Sequence, residues 1–304
     1  MTPARVLITG ASGLIGSALV PALEAGGATV LRLGRGAGPE PSRLVWSPEA
    51  GEIPRARLEG LEAVVHLAGE SIAGGRWSAA RKARLLDSRV RGTRLLAETL
   101  ASLERPPGVL ISASATGFYG DRGGEVLDEA SPPGNGFLAG LARAWEESTT
   151  AAAARGIRVV RLRIAPVLAP RGGMLERLRI PFGLGIGGAL GSGRQWMSWI
   201  ALDDLVAAIL HLLGRAVVSG AVNAAAPGAV SNLEFTRVLG LVLGRPAFMR
   251  VPAVVLRLAL GELADEALLA STRAEPKRLL ESGFGFRYPA LEPALRHVLA
   301  RGGH

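Results

Sequence analysis

The residues best placed to do chemistry lie near the start of the chain. The run Gly10-Ala-Ser-Gly13-Leu-Ile-Gly16 directly follows the apolar segment Arg5–Thr9 and precedes a helical pattern over Leu14–Ala25. In such a loop one glycine permits a tight turn, one lets the backbone approach a pyrophosphate, and one lets helix and strand pack closely. The helix that follows offers free N–H groups and its positive dipole end to the phosphates. Gly10, Ser12, Gly13, Leu14, Ile15 and Gly16 are therefore expected to cradle a dinucleotide. A second position selects which one. An acid about 20 residues further on would hold a ribose 2′-hydroxyl, but the second strand ends in Leu33-Gly34-Arg35, with no carboxylate before Glu40. A planar, permanently charged guanidinium suits a 2′-phosphate instead. Gly34 and Arg35 thus point to NADP (as NADPH when reduced).

These residues need a scaffold, and the pattern supplies one. Short apolar strands at Arg5–Thr9, Thr29–Leu33, Ala63–Leu67, Val109–Ser112 and Arg158–Ile164 alternate with helical patterns, among them Ala79–Leu103 and Phe137–Ala154. Fully apolar strands between helices indicate βαβ units and a parallel sheet covered on both faces. The expected fold is α/β, a doubly wound parallel sheet of the Rossmann type, with a smaller C-terminal lobe on the substrate side. Residues 1–225 form the nucleotide-binding domain, with 166–200 on the substrate side, and 226–304 the small lobe, including the tail 251–299. Ala221–Ala224 reads as a last short strand and Asn232–Leu243 as a helix. A Gly-rich stretch covers Pro181–Arg194, and Gly34–Arg43 and the last few residues have the weakest pattern.

Composition narrows the function. The chain has 304 residues and no cysteine, which excludes disulfides and thiolate metal sites and fits a reducing, cytoplasmic setting. The histidines, His66, His211, His297 and His304, are scattered, so no metal is expected. The net charge of +9 rests almost wholly on arginine dispersed along the chain, since Lys82 and Lys277 are the only lysines. That is not the footprint of a nucleic-acid binder. No apolar stretch reaches the roughly 18 to 20 residues of a membrane span, and Val6–Thr9 is too short for a signal-peptide core. A small-molecule substrate is expected, with neither nucleic acid nor membrane as partner. The oligomeric state is open, a homodimer included.

The chain resembles the extended short-chain dehydrogenase/reductases, within them the NAD-dependent epimerase/dehydratase branch and its atypical epimerase-like subgroup. The resemblance rests on Gly10–Gly16, His66-Leu-Ala-Gly-Glu70-Ser-Ile, Asp87-Ser-Arg89-Val-Arg-Gly-Thr93 and Ser112-Ala-Ser-Ala-Thr-Gly-Phe-Tyr119-Gly-Asp121. Trp145-Glu146, Pro181–Gly188 and Gly193-Arg-Gln195 leading to Trp199-Ile200 extend it, and the tail resembles the domain of unknown function that accompanies this subgroup. It implies that Leu67, Ala68 and Gly69 pass beneath the adenosine half of the cofactor, that Arg89 reaches the cofactor, and that Val167 touches its nicotinamide end. One departure is Ala201, where such proteins commonly carry His.

The resemblance also implies a catalytic Tyr four residues before a Lys, whose ammonium lowers the phenol pKa. Gly123 stands four residues after Tyr119 and Glu292 four after Tyr288, so the pair is absent. Near Phe137, where the Tyr is expected, no residue ionises. Ser114, Thr116, Tyr119 and Glu70 are the remaining catalytic candidates, while Glu146 reads as a helix-surface residue paired with Arg143. Lys82 lies on the helix that the resemblance places toward the adenosine half. Arg194, Gln195 and Trp199 are the polar and aromatic candidates for a substrate pocket. The readings are an NADP-dependent oxidoreductase or epimerase with a nonstandard acid/base, or a non-catalytic NADPH-binding sensor. Fold analogy alone does not choose between them.

Overall fold

Seven short strands set the centre of the molecule. In the computed structural model, which describes residues 3–36 and 42–301, they are β1 (Arg5–Thr9), β2 (Thr29–Gly34), β3 (Arg43–Val45), β4 (Ala63–His66), β5 (Val109–Ala115), β6 (Arg158–Ile164) and β7 (Gly220–Ala224). They form one sheet in the order β7-β6-β5-β4-β1-β2-β3, with every neighbouring pair parallel. Parallel pairing requires crossovers. These are α1 (Gly16–Ala25), α2 (Ala79–Ala101), the pair α3 (Phe137–Glu147) and α4 (Thr150–Ala154), and then α5 (Gly173–Gly183) with α6 (Leu202–Gly214).

Alternation along each strand sends successive side chains to opposite faces. Val6, Ile8, Val65, Ile111 and Val160 pack with Leu19 and Leu23 of α1 and Leu205 and Ile209 of α6. Leu7, Leu31, Val64, Leu110 and Val159 pack with Leu96 and Leu100 of α2 on the other face. The chain runs outward from β1 to β2 and β3, then returns to place β4 on the opposite side of β1. That reversal opens a crevice beyond the carboxyl ends of β1 and β4, where such sheets hold ligands.

The remaining helices are α7 (Asn232–Leu243), α8 (Ala253–Leu260), α9 (Lys277–Glu281) and α10 (Leu291–Ala300). Phe235, Leu239, Tyr288 and Leu295 share a core with Leu168, Leu175, Phe182 and Trp199, while Leu279 and Phe284 join the main-sheet core. The small lobe is therefore packed into the large one from both ends of its sequence.

Three features depart from the sequence pattern. The expected helix Phe137–Ala154 breaks between Glu147 and Thr150, because the Ser148 and Thr149 hydroxyls donate to the carbonyls of Ala144 and Glu146 and compete with the ladder. The edge strand β3 is too short for its alternation to be read. Helix α5 runs into the Gly-rich stretch and carries Pro181 within it. Of the weakly patterned segments, residues 37–41 and 302–304 lie outside the described residues.

Candidate dinucleotide-binding site

The glycine loop occupies the crevice, and its geometry explains two of its three glycines. Gly10 has φ +68°, and a Cβ there would lie 2.9 Å from the Leu67 carbonyl carbon. At Gly16 a Cβ would lie 2.3 Å from the Gly10 oxygen, far inside contact distance. Gly13 is less crowded by protein, its nearest neighbour being the Gly10 oxygen at 3.2 Å from such a Cβ. The constraint at Gly13 therefore comes from the open side of the loop.

That side opens on a cavity of about 1080 Å³, lined by Gly10, Ser12, Gly13, Gly34, Arg35, Leu67, Ala68, Gly69 and Glu70 among others. Of the thirteen residues expected to bind the cofactor, these eight without Glu70 share one wall. Leu14 turns the other way: a Cβ on Gly172 or Gly173 would lie 3.2 or 3.3 Å from its methyl groups, and one on Gly173 also 3.4 Å from the Val167 oxygen. Leu14 and Val167 thus both flank Gly173. Ile15 packs on the core. Arg89 lies behind Gly69, not on the cavity wall. Its guanidinium donates to the Leu85 and Glu70 carbonyls and sits over Trp145 at 4.9 Å. Burial lowers its pKa to about 10 against the opposing pull of Glu70, and its buried Nε has no partner.

Sequence reasoning missed Arg43, Trp46, Arg84, Ser88 and Arg91, which also line the cavity. Arg43 and Trp46 come from β3 and the residue after it, which carry no motif, and Arg84, Ser88 and Arg91 from α2, where the motif Asp87–Thr93 had pointed to Arg89 alone. Charges around the rim are mostly paired: Arg32 with Glu24 at 3.0 Å, Arg91 with Asp87 at 3.4 Å, and Arg84 with Glu70 at 3.9 Å. Arg35 differs. It is exposed on the cavity wall and bonds to no group among the described residues. Beside it Arg43 makes one bond, from Nε to the Gly36 carbonyl at 2.9 Å.

A buried polar chain fixes the floor of the crevice. The Thr9 hydroxyl oxygen accepts from the N–H groups of Leu67 and Ala68, both at 3.1 Å. Its own proton must then go to His66 Nδ1, 2.7 Å away. Burial pushes the His66 pKa down to about 4, so the ring is neutral with its proton on Nε2, which donates to the Thr93 hydroxyl at 2.8 Å. The Trp145 indole N–H donates to the same hydroxyl at 2.9 Å. Counting donors in this way assigns the tautomer and ties β1, β4, α2 and α3 to the two peptides beneath the expected cofactor.

The catalytic candidates are distributed differently. Tyr119 is fully buried. Its hydroxyl contacts the Asp128 carbonyl at 2.9 Å and Asn223 Oδ1 at 2.7 Å, and accepts from Arg163 Nη1 at 3.0 Å. Burial raises its pKa despite Arg163. Ser114 donates to Glu146 Oε1 at 2.8 Å. Glu146, expected on the helix surface beside Arg143, is instead buried and paired with Arg163 through both oxygens, at 2.8 and 3.0 Å. The partner of Arg143 is Glu147, at 4.0 Å across one helical turn. Thr116 is buried without a side-chain hydrogen bond to any described residue. Glu70 alone of the four stands on the cavity wall, 3.7 and 3.9 Å from Arg81 and Arg84. The expected pocket residues also divide. Trp199 is buried and donates to the Gly228 carbonyl at 2.8 Å, Gln195 is buried and donates to the carbonyls of Leu190 and Leu268, and Arg194 is exposed.

A sequence profile of the NAD dependent epimerase/dehydratase family matches residues 6–225. The chain belongs to that family. A domain of unknown function (DUF1731) matches residues 251–298. An epimerase family protein of Mycobacterium tuberculosis is 45% identical over 303 residues, covering all of both chains. The human epimerase family protein SDR39U1 is 34% identical, covering 97% of this chain and 100% of that one. A crystal structure of that human protein with NADPH superposes with a TM-score of 0.88 at 32% identity, over 97% of this chain and 99% of that one. A Corynebacterium glutamicum structure described as a nucleoside-diphosphate sugar epimerase gives 0.82 at 37% identity, over 98% of this chain but 59% of that longer one.

Within this NAD(P)-binding epimerase fold the missing Tyr-Lys pair leaves a visible substitution. Phe137 begins α3, and the ammonium nearest its ring is that of Lys82, 5.4 Å from the centroid. Lys82 thus lies at the start of α2 beside the first residue of α3. It is also paired with Glu262 at 2.7 Å. Leu141, four residues after Phe137, is buried. Ala201 is fully buried in a short strand that pairs with Val167–Leu168, so at this position the chain presents a methyl group to the core.

Proposed function

We propose that the protein binds NADP and acts as an oxidoreductase- or epimerase-like member of its family without the usual Tyr-Lys acid/base. The observation carrying the cofactor choice is Arg35, a guanidinium without a partner among the described residues, on the wall of a cavity whose other arginines largely have carboxylate partners. The human relative crystallised with NADPH supports the same reading. The residues present suit the cofactor. Gly10 and Gly16 leave no room for side chains, the cavity runs from the glycine loop to Arg35, and the buried Arg89 Nε behind Gly69 lacks a partner. Bound NADPH would supply a hydride. The chain's own part is to hold Leu67 and Ala68 through Thr9, to grip the 2′-phosphate with Arg35, and to provide a proton from Thr116 or Glu70. Ser114 and Tyr119 are committed to Glu146, Asn223 and Arg163, an arrangement that also supports the second reading, a non-catalytic NADPH sensor. The absence of cysteine fits action in a reducing compartment such as the cytoplasm.

Calorimetric titration with NADP and NAD tests the cofactor. Charge-assisted contacts contribute roughly 1.5 to 3 kcal/mol, so NADP should bind at least about tenfold more tightly. Arg35→Ala should erase the difference, and equal affinities in the parent would refute the proposal. Oxidation of NADPH against a panel of carbonyl compounds and UDP-sugars separates the two readings. Slow turnover supports the enzyme, and none supports the sensor.

A further inference from the structure

The small lobe carries an apolar surface that the nucleotide site does not use. Ile180 and Leu184 are each 70% exposed, Ile186 55%, Phe248 78%, Val254 61% and Leu258 72%. They lie along one ribbon. Gly188–Leu190 pairs in parallel with Met249–Val251, which sets Ile186 beside the segment leading into Met249, and a Cβ on Gly185 would touch Pro246. Helix α8 starts two residues beyond the ribbon. On it Val254, Val255 and Leu258 lie on one side and the buried Leu256 on the other, as the 100° step of a helix requires. The strand carries the chain from Phe248 to the start of α8 over roughly 15 Å, and Ile186 lies beside its beginning.

Two charges lie beside it without partners. Arg245 and Arg250 are exposed beside Phe248 and Met249, and neither side chain bonds to any group among the described residues. Arg257 on α8 is instead paired with Asp265 at 2.9 Å, and Glu176, Glu234 and Glu262 border these segments. An anionic bilayer surface matches both properties, taking apolar side chains at the acyl boundary and arginines among its headgroups. We propose that this face docks the protein onto an anionic membrane surface. Phe248 and Leu258 enter the headgroup layer, and Arg245 and Arg250 pair with lipid phosphates. The sequence expectation of no membrane partner rested on the lack of a spanning segment, and among the described residues no helix is long and apolar enough to cross a bilayer. Surface docking needs none.

Vesicle flotation of the full chain tests the proposal. Vesicles of phosphatidylcholine with 30% phosphatidylglycerol should carry the protein at low salt, with at least tenfold less bound to pure phosphatidylcholine or in 0.5 M salt. Phe248→Asp with Leu258→Asp should cut binding at least tenfold. Arg245→Glu with Arg250→Glu should do so while leaving the apolar side chains in place. All four positions are exposed, and unchanged thermal melts verify folding. No flotation with the anionic vesicles, or flotation unaffected by either pair, overturns the proposal. So does a sedimentation-velocity dimer that the Phe248/Leu258 pair dissociates, which would assign the face to a second copy.

Discussion

Acidification should weaken the protein through His66 before its carboxylates titrate. The ring is fully buried, and burial holds its pKa near 4 against 6.5 for a free imidazole. A histidine with a depressed folded pKa favours the folded state above the unfolded pKa. That contribution is lost as pH falls from 6.5 toward 4, because the unfolded chain binds the proton first. The full shift corresponds to about 3 kcal/mol, of which about 2 kcal/mol is lost between pH 7 and pH 5. Against a usual total of roughly 5 to 15 kcal/mol this is measurable. The donor count adds a functional consequence. A protonated Nδ1 can no longer accept from Thr9, whose hydroxyl must then turn away from the position in which it receives the Leu67 and Ala68 N–H groups. Cofactor affinity of the folded protein should therefore fall only as pH approaches 4, where the buried ring itself takes up the proton. The assay is urea unfolding at pH 7 and pH 5 for the parent and for His66→Gln, which keeps a donor toward Thr93 and removes the titration. The substitution removes His66 alone, so the difference between the two pH slopes isolates it. Equal slopes, or a His66 titration observed near 6.5 in the folded protein by NMR, would refute the reasoning.

Other perturbations probe the site and its supports. Gly13→Val should leave the circular dichroism spectrum intact and abolish NADP binding, since its side chain would enter the open side of the loop. Undiminished binding would remove the loop from the site. Glu146→Ala should cost about 3 to 5 kcal/mol in urea unfolding, because Arg163 is left charged and buried without its partner; a loss below 1 kcal/mol would contradict the pairing. Tyr119→Phe should cost about 1 to 3 kcal/mol of stability by stranding buried partners. It should leave any NADPH oxidation rate per folded molecule unchanged, and loss of turnover in a stable variant would make Tyr119 the acid/base after all.

The parts of this fold legible in the sequence are those fixed by local pattern. Arg5–Thr9, Arg158–Ile164 and Asn232–Leu243 have the same bounds in the structure as in the pattern, because short runs rich in valine, leucine and isoleucine and a helical stripe need no partner to be recognised. The glycine loop was legible because positive φ and close approach admit few other residues. Arg35 stood out through the absence of an acid. The roles of Glu146, Ser114 and Tyr119 were not legible, since they depend on Arg163, which comes from a strand 44 residues after Tyr119. A buried arginine in an apolar strand was the available signal, and the pattern Arg158–Ile164 hid it by placing three arginines in seven residues. Arg43 was invisible for the opposite reason: it lies on a short edge strand with no motif, and Arg91 was passed over because the motif around it directed attention to Arg89.

The same network bears on what became of the family's acid/base chemistry. A Tyr-Lys pair works when an ammonium lowers the phenol pKa within reach of the reacting carbon. Here the hydroxyl and carboxylate groups behind the sheet edge are spent on each other. Burial works against the charge on Arg163, but hydrogen bonds and ion pairing with Glu146, aided by Tyr119, more than offset it and raise its pKa. The resulting group of Ser114, Glu146, Arg163, Tyr119 and Asn223 braces β5, β6 and β7 against α3. At the helix start Phe137 supplies a ring with no proton to move, and Lys82 lies over it with its charge directed to Glu262. Phe137 and Lys82 thus bring a ring and an ammonium together with no phenol between them. Of the four catalytic candidates only Thr116, which is buried, and Glu70, on the cavity wall, stand outside the network.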